Sequence, residues 1–442
     1  MDIKELQRIM QENGVVGAGG AGFPTYAKLS ENANVILMNC AECEPLLKLH
    51  RQLLEKHAYE IMQTFQLVAD TVGASEAIIG IKKSYVQTVK ALQQHIEEFP
   101  NMRIHLLDEV YPMGDEVVLI YEATGRVVRP GGLPIEQGVA VFNVETIYNV
   151  YRGVSGQKPV TDKYVSIVAE VTRPVTVRVP IGCTLEEVVS QAGEVTVKDP
   201  VYFVGGPMMG RIGSPDEPVT KTTNAVLVLP KDHPIVMKKR RSSAIDLKRA
   251  ASICCQCNTC TDLCPRHNLG HPIDPARFMR AASNNDFRDL NPYLDASFCS
   301  SCGVCEMYSC PQSLAPRSLL ADMKAGLRAA GIRPPQGVQP KPVTDARPFR
   351  KAPEERLMAR LALTKYDKDA PLDETLVAVP KVKIMLSQHI GAPAQPIVKP
   401  GDEVTRGQMI AKPGSGLSVG IHASICGKVT EATDRYIVIA AK

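Results

Sequence analysis

Two cysteine runs between residues 254 and 311 constrain this chain more tightly than any other feature. The first reads C-C-Q-C-N-T-C-T-D-L-C-P and sets Cys254, Cys257, Cys260 and Cys264 at x2, x2 and x3 spacing, ahead of Pro265. The second reads C-S-S-C-G-V-C-E-M-Y-S-C-P and sets Cys299, Cys302, Cys305 and Cys310 at x2, x2 and x4, ahead of Pro311. Three thiolates two residues apart can hold three irons of one cubane, while the fourth, past a turn and before a proline, serves the partner cluster. The spacing predicts two [4Fe-4S] clusters: one on Cys254, Cys257, Cys260 and Cys310, the other on Cys299, Cys302, Cys305 and Cys264. Two zinc sites or a disulfide framework form the competing reading, but zinc sites show separated C-x-x-C pairs without the closing C-P. The x4 step carries one residue beyond the usual x3, so the turn before Cys310 should bulge. Cys255, between ligand positions, reads as a spare, packed thiol.

A chain of 442 residues suggests two to four domains. The net charge of +4 and the absence of Trp argue against a nucleic-acid partner. Eight of the thirteen Cys fall in the two runs, and no signal peptide precedes them, which points to a reducing, cytoplasmic setting. No apolar run approaches the roughly 20 residues that span a bilayer, so direct membrane insertion is not expected. Ile3, Leu6, Ile9 and Met10 share one face of an expected first helix, read as packing on its own domain.

Residues 13–29 contain G-x-G-x-x-G at Gly17, Gly19 and Gly22, a spacing that lets backbone approach a phosphate but that also suits a plain turn. Val35–Met38 reads as a buried strand running into N-C-A-E-C-E-P at 39–45. Polar groups at a strand end, near a glycine loop, mark ligand sites in α/β folds. Cys40 and Cys43 lack a second pair and read as inert thiols. Alternating helix (51–72, 84–98) and strand (77–81, 104–107) patterns predict an α/β sheet, followed by a Gly-Asp-Glu loop at 114–116 and a strand over 139–146.

These motifs, in this order, resemble the flavin-bearing NADH dehydrogenase subunit of respiratory complex I, and N-C-A-E-C-E-P is closer to the RnfC-type subunit of the Rnf electron-transport complex. The resemblance implies FMN, with NADH admitted over it. Carried over by motif, Gly17, Gly19, Gly20, Gly22 and Lys28 would line the FMN phosphate and ribityl chain. Asn39, Glu42 and Glu44 would sit near the flavin, Glu116 near flavin or nicotinamide, and Asn143 and Thr146 would close the site. The complex I subunits have an acid where Ala41 stands here.

Strand patterns at 165–168, 175–179, 201–204 and 225–229 surround a capping box at Thr184 and Glu187, which resembles the soluble-ligand-binding β-grasp (SLBB) domain of both families. Gly205–Gly210 reads as a plain turn with core methionines, and Lys238–Arg241 as a solvated basic joint. His267 and His271 read as structural. Six Pro between 331 and 356 suggest an extended linker. Residues 398–411 and 422–429 pair as halves of a lipoyl-like barrel-sandwich, without the D-K tip that accepts lipoyl or biotin. The expected fold is multidomain α/β and α+β. Its parts are an FMN/NADH domain at 1–158, an SLBB β-grasp domain at 159–232, a helical ferredoxin-like domain with two [4Fe-4S] clusters at 244–325, a linker at 326–375 and a barrel-sandwich at 376–442.

With the barrel at the C-terminus and the x4 step, nearly the whole chain resembles the PduS family, the cobalamin reductases of propanediol-utilisation microcompartments. That resemblance implies electrons passing from NADH through FMN and two clusters to corrinoid cobalt, cob(III)alamin to cob(II)alamin to cob(I)alamin. A flavin converts hydride pairs to single electrons, so no catalytic acid, base or nucleophile is needed for the transfer. Implied partners are cobalamin, a corrinoid adenosyltransferase and a microcompartment shell protein, inside a bacterial microcompartment. The alternatives are a peripheral NADH- or ferredoxin-oxidising subunit of a membrane ion pump, and a non-enzymatic relay or scaffold at a shell.

Overall fold

In the computed structural model, which describes residues 1–442, the chain opens with α1 (Ile3–Glu12), capped by the Asp2 side chain and buried through Leu6 and Met10. A four-stranded parallel sheet follows, built from β1 (Val35–Cys40), β2 (Glu76–Lys82), β3 (Met102–Leu107) and β5 (Val139–Asn143) in the order β3-β2-β1-β5. Helices α2 (Leu49–Val72), α3 (Val86–Gln93), α4 (Glu116–Thr124) and α5 (Val144–Gly156) flank it, and the short β4 (Val110–Tyr111) leads into α4. The strands are buried almost throughout, as expected of a parallel sheet covered on both faces. Strand order reverses between β1 and β5, where Asn39 and Asn143 are register partners at the carboxyl ends. Such a switch point opens a crevice for a ligand. The strand expected over 139–146 ends at Asn143, because that side chain accepts hydrogen bonds from Glu145 and Thr146 N–H and caps α5.

The second sheet has the order β12-β7-β6-β10-β8-β9. Its strands β6 (Asp162–Ala169), β7 (Val175–Pro180), β8 (Pro200–Val204), β9 (Arg211–Ile212) and β10 (Ala225–Pro230) enclose α6 (Leu185–Val189), which starts on the reciprocal Thr184–Glu187 capping box. Antiparallel β6–β7 with β10 parallel to β6 is a β-grasp arrangement. Helices α7 (Pro234–Arg240), α8 (Ser243–Ile253), α9 (Thr259–Asp262), α10 (Pro265–Asn268), α11 (Pro275–Ser283), α12 (Asn291–Leu294) and α13 (Pro316–Ala329) hold the cysteine runs.

The proline-rich stretch 326–375 is not a free linker. It packs through buried Arg347, Leu357, Leu361, Leu363 and Tyr366. It also supplies β11 (Ala352–Pro353) to pair with β4, α14 (Glu354–Arg360), and β12 (Leu372–Leu376) as an edge strand beside β7. The prolines stop periodic structure without stopping burial, which is why the composition misleads. The chain ends in two facing sheets: β13 (Lys381–Met385), β15 (Glu403–Val404), β18 (Gly427–Ala432) and β19 (Tyr436–Ala441) against β14 (Gln395–Pro396), β16 (Met409–Lys412) and β17 (Ile421–His422). One apolar core runs continuously from Phe65 in α2 through Val165 in β6 to Ile384 and Ile439 in this barrel. No helix is long and apolar enough to cross a membrane.

Candidate functional site

The glycine loop closes over the β1/β5 crevice. Gly17, Gly19, Gly20, Ala21, Gly22, Phe23, Thr25, Lys28, Asn39, Glu116, Val141, Phe142, Asn143 and Thr146 line a cavity of about 260 Å³. Ala18 N–H donates to Thr146 Oγ1 at 3.0 Å, which ties the loop to α5. A Cβ on Gly19 would lie 2.5 Å from the Asn143 amide, and Gly22 has φ +73, so neither position accepts a side chain. The amides of Gly19, Gly20, Ala21 and Gly22 make no hydrogen bond within the protein. Lys28 Nζ, 2.8 Å from the Val141 carbonyl and 3.5 Å from Glu116, adds a cation. Free backbone donors beside an ammonium form a cradle suited to a phosphate. Asn39 donates to the Gly114 carbonyl at 2.9 Å and accepts from Ala41 N–H, so the 114–116 loop is fixed against β1.

Nine of the eleven residues expected at the flavin are therefore gathered here, while Glu42 and Glu44 point elsewhere. Glu42 is buried and accepts from His50 N–H at 3.0 Å. Glu44 accepts from the backbone N–H groups of Met208 and Met209 at 2.8 and 3.0 Å. A Cβ on Gly206 would collide with the Glu44 carboxylate. Burial raises the Glu44 carboxyl to about 7, against the pull of those two amides. The 205–210 loop is thus a clamp on the 39–45 motif, not a plain turn. Phe23, Thr25, Val141 and Phe142 escape sequence reasoning, because cavity walls of ordinary residues carry no motif.

The eight motif cysteines separate into two groups. Cys254, Cys257, Cys260 and Cys310 line one void, with Cys255 at its edge. Cys264, Cys299, Cys302 and Cys305 line the other. Each group takes three thiols from one run and the fourth from the other run. No three His, Cys, Asp or Glu side chains lie close enough to hold a single metal ion, so the thiols ring voids and do not converge on a point. The extra residue before Cys310 is absorbed by a π-helical turn over Val304–Ser309, whose Ser309 hydroxyl donates to the Val304 carbonyl. Cys255 is exposed, not packed.

The thiols feel one another as the grouping requires. Burial, then Cys310, Cys257 and Cys254, push Cys260 up to about 12. Burial raises Cys305, with added repulsion from Cys299, Cys302 and Cys264. Ligation needs thiolates, so iron would displace these protons and bind where like charges would otherwise repel.

The second group abuts the flavin domain. Tyr111 O–H donates to the Cys302 carbonyl at 2.6 Å. Arg266, two residues after Cys264, pairs with Asp115 at 2.9 Å, and Asp115 caps α4 next to Glu116 of the flavin cavity. Buried His271 contacts the Val128 carbonyl at 2.9 Å, and burial holds its imidazole down at about 4. The basic run is also no solvated joint. Lys238 donates to the Glu306 carbonyl, Lys239 to the Met208 carbonyl and Arg241 to the Ser313 carbonyl, all around this part of the chain. Such cations suit a neighbourhood of thiolates.

Residues 10–152 match the Nuo51 FMN-binding domain, 253–315 the 4Fe-4S dicluster domain and 364–442 the RnfC barrel sandwich hybrid domain. These define the class: an electron-transport flavoprotein with FMN and two [4Fe-4S] clusters. The cradle at Gly17–Lys28 and the two thiol groups fit those cofactors. The chain is 41% identical, over 98% of its length and 96% of the relative's, to cobalamin reductase PduS of Salmonella typhimurium. It is 40% identical to the Citrobacter freundii protein of the same name, over 99% and 97%. The chain belongs to the PduS cobalamin reductase family. It is also 29% identical, over 64% of each chain, to the RnfC-type component of the Na(+)-translocating ferredoxin:NAD(+) oxidoreductase complex of Acetobacterium woodii. An NAD+-reducing [NiFe]-hydrogenase in the H2-reduced state shares the fold at TM-score 0.51 and 22% identity, covering 76% of this chain and 64% of that one.

Proposed function

We propose that this protein takes electrons from NADH and delivers them to corrinoid cobalt. Each NADH gives two electrons and leaves as NAD+ and a proton. Two cob(III)alamin then become cob(II)alamin, or one becomes cob(I)alamin. FMN supplies the conversion of an electron pair to single electrons, and the clusters supply single-electron relay. The remaining work belongs to the chain. Gly19–Gly22 amides and Lys28 would hold the FMN phosphate, while Asn39, Asn143 and Thr146 fix the loop geometry. Glu116 stands at the mouth of the cavity, where nicotinamide would enter. Cys254, Cys257, Cys260 and Cys310 would ligate one cluster, and Cys264, Cys299, Cys302 and Cys305 the other.

One observation carries this reading: the short loop 111–116 touches both ends of the transfer. Its Glu116 lines the flavin cavity, while Tyr111 and Asp115 bind Cys302 and Arg266 beside the second thiol group. We therefore assign the Cys264 group as the near relay and the Cys254 group as the far one. Near-full-length identity with cobalamin reductases supports the corrin acceptor. We further propose a corrinoid adenosyltransferase as the consumer of cob(I)alamin, and residence in a microcompartment through a shell protein.

The test is anaerobic. Protein with reconstituted iron and sulfide is mixed with NADH and hydroxocobalamin, and the corrin absorption bands are followed. NADH-dependent conversion supports the assignment. Turnover with dye acceptors but none with corrin would favour an ion-pump subunit, for which the Acetobacterium woodii likeness speaks. Absence of both flavin and NADH oxidation would favour a relay or scaffold.

A further inference from the structure

A wide groove lies beside the far thiol group and takes no part in the sites above. It encloses about 960 Å³ between the end of α11 and the loop into α12. Helix α11 forms the partition. Ala276, Met279 and Arg280 line the Cys254 void, while Arg277, Arg280 and Ala281 line the groove. Arg280 faces both. A helix with its side chains is about 10 Å across, so a molecule in the groove sits within that distance of the far thiols.

The charges of the groove are nearly matched. Arg277 pairs with Asp289, and Arg288 pairs with Asp286 at 2.7 Å. The Arg280 guanidinium makes no hydrogen bond or ion pair. One cation is thus left over, with the carboxamides of Asn284 and Asn285 beside it. Phe287 is 63% exposed, held flat by stacking on Tyr293 at 5.3 Å. An acidic protein surface would ask for several unpaired cations. A large, amide-rimmed ligand with a single negative group and one broad apolar face asks for one cation, amide partners and one aromatic ring. The volume lies at the upper end for small-molecule sites.

We propose that this groove binds the corrinoid itself, with Arg280 on the phosphodiester of the nucleotide tail and Phe287 against the corrin face. This rests on the reading of the protein as a cobalamin reductase and adds where the acceptor docks. Arg280 then acts twice, holding the acceptor and bordering the far thiol group.

Binding of cyanocobalamin, and of dicyanocobinamide, which lacks the nucleotide and its phosphate, tests this by equilibrium dialysis with oxidised holoprotein. Iron and flavin contents are measured first. The wild type should bind cyanocobalamin at least ten-fold more tightly than dicyanocobinamide. Arg280→Gln should erase that difference, Arg280→Lys should restore most of it, and Phe287→Ala should weaken both ligands several-fold. Unchanged affinities in Arg280→Gln and Phe287→Ala would overturn the proposal. So would a wild type that binds neither corrinoid, even while it reduces hydroxocobalamin with NADH. That second result would leave the reductase assignment standing, whereas tight, Arg280-dependent binding without reduction would remove the assignment and keep the site.

Discussion

The two thiol groups come from nearly the same sequence and sit in opposite surroundings. Cys264 and Cys305 are buried, and the wall around their group is shared with Tyr111 and Arg266, which reach the flavin domain. Cys255 and Cys257 are exposed, and their group borders only its own helices and the open groove. A cysteine spacing specifies what can be ligated. The neighbours decide whether a site receives electrons from within or releases them at the surface.

Removing a buried thiol is the harshest way to probe the contrast. Cys305→Ala should lower iron from about eight to about four per chain, the loss of one cubane. NADH-dependent corrin reduction should be lost with it. Cys255→Ser, one position from a ligand in the exposed run, should keep about eight irons and wild-type turnover. Iron and sulfide assays distinguish the two.

The next effect concerns the ion pairs on either side. Arg266 and Asp115 are largely buried, so Arg266→Ala strands a carboxylate and should cost about 3 kcal/mol or more in denaturant unfolding of holoprotein. Arg288 is 90% exposed at the groove, and Arg288→Ala should leave the unfolding midpoint where it is. Equal effects would erase the inside–outside distinction.

A smaller effect is a pH dependence confined to the near side. Burial lifts the Glu44 carboxyl from its ordinary value to about 7, so the folded chain holds a proton there that the unfolded chain releases above about 4.5. The contribution to stability is fully present below pH 4.5 and declines as pH rises to about 7. Glu44→Gln should flatten that decline, measured by unfolding midpoints across the range.

What the chain disclosed in advance follows the range of its interactions. The cysteine grouping was legible because ligand geometry fixes spacing, and the extra residue before Cys310 emerges as the π-helical turn. Gly17–Gly22 and Asn143 were legible because close backbone approach and helix capping admit few residue types. Glu44 was misplaced because its partners, Met208 and Met209, donate through backbone that any residue supplies. The Asp115–Arg266 pair spans 151 positions, and neither residue has a local pattern that names the other. The 326–375 strap was hidden because its few buried side chains are scattered among prolines.

The order of the two relays can be read directly by freezing NADH-treated variants anaerobically and integrating the paramagnetic signal of reduced clusters. Cys257→Ala removes the far group, and the account predicts that NADH still reduces the cluster that remains. Cys302→Ala removes the near group, and the surviving far cluster should stay oxidised. A far cluster reduced by NADH in Cys302→Ala, with the near one left oxidised in Cys257→Ala, would contradict it.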